Sequence, residues 1–256
     1  MQDAASLASN NKEFWMLLVY AARCVSDARP SLRAAVASCL LRTLERVQGD
    51  QKRWTRAGWT DFTASKTEYT VSASKVIETI REERQTTISC LSDHFTNYVG
   101  DYMDVKRNGR TDFRILTLSN SSSIRLAVIS LLKKHPDITI QLLILESRPR
   151  CEGADMAAFI HEHTDVYKGR ISIMLMPDCA LATATKDVDF VLLGADRISH
   201  EGNVSNKLGS LAAAMCAKQQ NRNVEVVVIN DIDKIAGTSA TEEELEVHPS
   251  SELSRA

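Results

Sequence analysis

The apolar positions of the first hundred residues recur at helical spacing. Phe14, Leu17, Leu18, Ala21 and Ala22 define one face, and Leu32, Val36, Cys39, Leu40, Thr43 and Leu44 define the next. Each repeats with the three-or-four-residue step by which a helix buries one side. A mostly polar stretch from Gln48 to Thr70 separates them from a third helical region around Val76, Ile77, Ile80, Ile88, Leu91 and Phe95. The pattern predicts a helical front section over residues 1–108. Its three tryptophans, Trp15, Trp54 and Trp59, are expected in core or interface packing rather than stacked on a ligand.

The rhythm changes at Asn108-Gly109, a turn dipeptide, and a second region is expected over residues 109–256. Short apolar runs follow at Arg114 to Leu118, Thr139 to Leu145, Ile171 to Met176, Phe190 to Gly194 and Glu225 to Ile229. Between them Ser121 to Lys134, Ala154 to His163, Cys179 to Lys186 and Asn206 to Lys218 carry helical patterns. Strands that alternate with helices and are apolar on both faces predict a doubly wound, mainly parallel sheet of Rossmann-like α/β type, because parallel neighbours need crossovers that cover the sheet.

In such sheets ligands bind beyond the carboxyl ends of the strands. Those ends read Ser119-Asn120-Ser121, Glu146-Ser147-Arg148-Pro149, Pro177-Asp178, Ala195-Asp196-Arg197 and Asn230-Asp231. Turning at a surface explains any one of them, but so many arginines and aspartates at a single rim point to a shared site. The most informative stretch is VLLGADRISHEGNVSNKLG, from Val191 to Gly209. Gly194 and Ala195 permit close approach, and Asp196 and Arg197 stand side by side at the rim. After the turn at Gly202, Asn206 and Lys207 are expected to open a helix whose free N–H groups suit a phosphate. The serines Ser119, Ser121, Ser122 and Ser123, with Asn120, form either an ordinary N-cap or a phosphate cradle.

Neither G-x-G-x-x-G nor G-x-x-x-x-G-K-[ST] occurs, so a monophosphate or sugar phosphate fits better than a dinucleotide or a triphosphate, and no cofactor is expected. The six histidines have no ligand-spaced companions, and no metal site is predicted. A formal net charge of -2 gives no positive field for nucleic acid or an anionic membrane. With 44% hydrophobic residues over 256 positions the chain can bury a large core. Six scattered cysteines without a C-x-x-C pair read as reduced thiols. A start lacking both a basic segment and an apolar run, and the absence of a span-length apolar stretch, predict a cytoplasmic protein.

ILTLSNSSS, ESRPRCEG, VLLGADRI and GNVSNKLGS resemble, in order and spacing, the motifs of the initiation factor 2B alpha/beta/delta family. The superfamily also holds methylthioribose-1-phosphate isomerase and ribose-1,5-bisphosphate isomerase. The match covers approximately Phe113 to Ile229. The resemblance implies that Asp196 corresponds to the isomerases' catalytic aspartate, and that Ser119 and Leu118 replace a catalytic cysteine and its neighbouring histidine. A thiol titrates near ~8.5 and can be tuned to work at neutral pH, whereas a serine hydroxyl needs an adjacent base, which Leu118 does not supply.

The expectation is a noncatalytic module of translation initiation that binds a small phosphorylated ligand through Asn120, Ser121, Arg148, Arg197, Asn206 and Lys207. Its implied partners are a second copy of itself or related initiation factor subunits. An aldose-ketose isomerase acting on a phosphorylated pentose and a scaffold with a vestigial pocket are the alternatives. Against the family pattern the sheet is expected to be truncated at its C-terminus. After Ile229 an acidic stretch, Glu242 to Glu246, leads to the helix start Ser250-Ser251-Glu252 and the chain stops.

Overall fold

The strand-forming runs pair as their apolar character requires. The structure, a computed structural model, describes residues 7, 11–28, 33–56, 66–106 and 109–235. Three helices come first: α1 (Asn11–Asp27), α2 (Arg33–Arg56) and α3 (Lys66–Lys106). Then follow β1 (Asp112–Leu118), α4 (Ser122–Lys134), β2 (Thr139–Leu145), α5 (Glu152–His163), β3 (Ile171–Met176), the short α6 (Leu181–Ala184), β4 (Phe190–Leu193), the two-residue β5 (Arg197–Ile198) and β6 (Val204–Ser205), α7 (Ser210–Gln220) and β7 (Glu225–Val228). Helix α2 runs through part of the stretch expected to be a polar linker. The side chains of Trp54 and Trp59 and the Ser250-Ser251-Glu252 start lie outside the described residues.

Two compact units emerge. One takes in the described residues through Thr86, with Arg197–Asn203 and the turn from Ile232. The other takes in Thr87–Asp196 and Val204–Asp231, so the division falls inside α3. In the first unit Phe14, Val47 and Ala73 form a small buried cluster against which Trp15, Leu17, Leu18 and Val76 pack. The buried carboxylate of Asp233 accepts from Arg42 at 2.8 Å and fixes the 232–234 turn on α2.

The second unit is built on a parallel sheet in the order β3-β2-β1-β4-β7. Alternate residues face opposite ways along a strand, and the two faces feed two cores. Phe113, Ile115, Ile140, Leu142 and Phe190 meet α3, α4 and α5 through Phe95, Val99, Tyr102, Ile124, Val128, Leu131 and Met156. Tyr102 and Phe113 stand 4.8 and 5.7 Å from the Phe190 ring centroid, and burying a ring of this kind is worth roughly 1.5–3 kcal/mol. On the other face Leu116, Leu118, Leu143, Leu145 and Val191 meet α6 and α7 through Ala184, Ala213 and Ala217. Helices on both faces of a parallel sheet make this the doubly wound fold predicted. No helix among the described residues is long and apolar enough to cross a membrane.

Candidate functional site at the carboxyl rim of the sheet

Between β1 and β4 the winding changes direction: the chain leaves β1 over one face and β4 over the other. Connecting segments diverge at such a point and leave a crevice beyond the strand ends. Ser119 sits on its lip. The backbone takes φ 64 there, turning the residue out of the strand direction, while Leu118 stays 3% exposed in the core. A histidine in place of Leu118 would thus enter an apolar cluster.

A chain of hydrogen bonds fixes Ser119. Its N–H donates to Ser147 Oγ at 2.7 Å, and Ser147 is itself held by its N–H donating to Asp178 Oδ1 at 2.9 Å. The N–H of Arg148 donates to the second oxygen of the same carboxylate at 2.7 Å. On its side-chain end Ser119 Oγ donates to Glu152 Oε2 at 2.9 Å, and Glu152 Oε1 lies 3.5 Å from Lys207 Nζ. Ser119 thus has a carboxylate acceptor from α5 that sequence reasoning did not foresee, while Leu118 beside it offers no polar group.

Glu152 reaches that position because the start of α5 is pressed against β2. A side chain on Gly153 would place its Cβ 1.9 Å from the Leu145 carbonyl oxygen, and the Gly153 N–H donates to Glu146 O at 3.0 Å. Only glycine tolerates this approach, since a backbone atom cannot swing aside. The preceding Cys151 adopts φ 53 to complete the turn.

Ser121 and Asn206 approach each other across Gly194. A Cβ there would lie 3.5 Å from Ser121 Oγ and 3.8 Å from Asn206 Oδ1. Ser121 caps α4 by accepting from the Ile124 N–H at 3.4 Å, so the cap reading of the serine cluster holds for this residue. Asn206 Nδ2 donates to Ser210 Oγ at 2.8 Å. One sequence expectation needs correction, because Asn206 and Lys207 do not open a helix. Helix α7 begins at Ser210 after Gly209, whose φ of 97 lies outside right-handed helical space, and Asn206 and Lys207 belong to the turn before it. They present side chains to the rim; the helix start itself stands three residues further on.

The remaining predicted residues divide. Asp196 is half-buried, its N–H donating to Ser205 O at 2.8 Å, and its carboxylate has no partner among the described residues. Asn120 is exposed between the two serines. Arg148 is exposed and pairs with Glu146 at 3.4 Å rather than joining the Ser119–Glu152–Lys207 chain. Arg197 lies in β5, which groups with the first unit. Of the three cations named from the sequence, Lys207 is the one in the network. Among the described residues no cluster of three or more histidine, cysteine or acidic side chains could hold a metal ion. Sequence reasoning missed Glu152, Ser147 and Asp178. Each lay in a quoted motif or strand end, but no spacing rule joins position 119 to position 152.

A model of the Initiation factor 2 subunit family matches residues 1–255 of the chain. The chain belongs to that family. Within it, methylthioribose-1-phosphate isomerase of Caenorhabditis briggsae is 30% identical over 157 residues, covering 57% of this chain and 41% of that relative. The isomerase of the same name from Geobacillus kaustophilus is 29% identical over 113 residues, covering 41% and 30%. The matched stretches thus span less than half the length of these relatives. The fold is shared with the translation initiation factor eIF-2B of Pyrococcus horikoshii OT3, at TM-score 0.63 and 15% identity over 91% of this chain and 70% of that one. It is shared too with the tetrameric eIF2B-beta2-delta2 complex of C. thermophilum, at TM-score 0.60 and 15% identity over 99% and 73%.

Proposed function

We propose that this member of the family is a noncatalytic binding and assembly protein of the cytoplasm. Its rim pocket takes a small sugar phosphate or nucleotide, and its sheet unit pairs with a second copy or a related subunit in translation initiation. The observation that carries the reading is the hydroxyl of Ser119, in the isomerases' cysteine position, donating to Glu152 beside Lys207. A thiol that titrates near ~8.5 exchanges protons readily at neutral pH. A serine hydroxyl is a far weaker acid, and a carboxylate is a poor base for it, so the pair makes a fixed hydrogen bond rather than a proton shuttle. The same atoms suit binding: Lys207 for a phosphate, Ser121 and Asn206 for sugar hydroxyls, and Asp196 at the side.

One observation favours the alternative, an aldose-ketose isomerase of phosphorylated pentoses. Asp196 keeps a carboxylate with no partner where such an enzyme needs an acid and base. The discriminating experiment adds ribose-1,5-bisphosphate or methylthioribose-1-phosphate to the purified chain, with calorimetry for binding and product analysis for turnover. Binding without turnover is expected, and Lys207→Ala should weaken it by about 1–3 kcal/mol, the scale of one charge-assisted hydrogen bond. Turnover abolished by Asp196→Asn would replace the binding reading with the enzymatic one.

A further inference from the structure

At the opposite, amino edge of the same sheet lies a cleft of about 680 Å³. Its origin is a short crossover. The connection from β3 to β4 contains only the four-residue helix α6 and a 3-10 turn at Asp178–Ala180, so the face carrying Leu116 and Leu143 lacks cover toward the strand starts. Met174 on that face is 46% exposed. Strands buried on both sides read as apolar runs, yet three adjacent strands here break the pattern at one level. The register pairs Arg114 with Gln141 and Gln141 with Ser172, so a guanidinium, an amide and a hydroxyl stand side by side on one face and line the cleft.

Four other charged groups of the cleft, Arg110, Asp112, Arg170 and Asp189, are engaged. Arg110 is paired with Asp112 at 2.6 Å. Arg170 donates to the carbonyls of Leu132, His135 and Pro136 and so closes the end of α4. Asp189 accepts the backbone N–H of Arg114 at 2.8 Å. The side chain of Arg114 differs: its Nε is shut off from solvent with no hydrogen-bond partner among the described residues. The terminal nitrogens of the same fork have no side-chain or carbonyl partner among the described residues either and are not closed off as Nε is, so they are the ones an oxyanion in the cleft can reach.

We infer that this cleft is a second ligand site, separate from the carboxyl rim, which takes the phosphate or carboxylate group of a small molecule on Arg114 with Gln141 and Ser172 alongside. Asp112, Asp187 and Asp189 balance the three arginines, so the cleft has no net field. Recognition rests on the fork geometry of the guanidinium and not on bulk charge. The inference does not depend on the function proposed for the rim.

The test observes arginine Nε–Hε resonances of the full chain while inorganic phosphate or succinate is added, in wild type, Lys207→Ala and Arg114→Lys. The resonance missing from Arg114→Lys, which keeps the charge and loses the fork, identifies Arg114. It should move saturably in wild type and equally in Lys207→Ala. Movement with phosphate assigns a phosphorylated ligand and movement with succinate a carboxylate. An Arg114 resonance that moves with neither anion in the millimolar range overturns the inference. So does one whose movement vanishes in Lys207→Ala, since the effect would then originate at the rim.

Discussion

Glu152 puts a negative charge where the proposed ligand brings another, and its effect therefore has a sign. Lys207 is 30% and Glu152 25% exposed on their side chains, so water screens the pair only in part. A phosphate arriving at Lys207 must compete with a carboxylate 3.5 Å away. Replacing Glu152 by Gln keeps an acceptor for Ser119 Oγ and removes the competing charge. Binding of ribose-1,5-bisphosphate should tighten by about 1 kcal/mol, or roughly fivefold. Calorimetry on Glu152→Gln beside wild type checks this. Weaker binding in the variant would mean that Glu152 touches the ligand as an acceptor and does not act as a rival for Lys207.

At the scale of elements, the end of α3 is tied to the edge strand β7 by Lys106 and Glu225. The hydrogen bond from Lys106 holds the Glu225 carboxyl below its ordinary range, against the opposing effect of burial. The same bond raises Lys106. Burial first, and then the charge of Glu225, raises the Tyr98 hydroxyl nearby. A carboxyl depressed in the folded state stabilises above its unfolded pKa, and that contribution fades as pH falls through the folded value. A lysine raised in the folded state contributes below its unfolded pKa and loses the contribution as pH rises through the folded one. Urea unfolding measured across pH should show wild type losing stability below the usual carboxylate range of about 4.3, and Glu225→Gln should have a shallower acid limb. Superimposable acid limbs would show that the contact does not form in solution.

For the whole molecule, the open question is association. Helix α7 leaves Leu211 73% and Met215 62% exposed, and Leu208 before it is 92% exposed. Leu211 and Met215 recur at i and i+4 and so share one side of α7, an exposed apolar pair with the exposed Leu208 in the turn before it. Sedimentation at micromolar concentration should show a dimer, and Leu211→Glu with Met215→Glu should shift it to monomer. A wild-type monomer throughout that range would remove the assembly half of the proposed function.

The sequence by itself determined the class of fold. The apolar run at Thr139 to Leu145 coincides with β2, because a strand covered on both faces has no choice but to be apolar, and the run at Ile171 to Met176 coincides with the more exposed edge strand β3. It also marked the rim, since the polar residues ending those runs must lie where the strands end. Where local signals conflicted the sequence misled: an asparagine and a lysine before an apolar run imitated a helix start, while Gly209, whose φ of 97 delays α7 to Ser210, resembled any other glycine. Only the tertiary structure decided which distant residues meet. Ser119 and Glu152 lie 33 positions apart, and Glu152 and Lys207 a further 55. Their contacts depend on strand order, on the switch between β1 and β4, and on how closely Gly153 lets α5 approach β2. Hydrophobic periodicity records that a face is buried, but not which neighbour buries it.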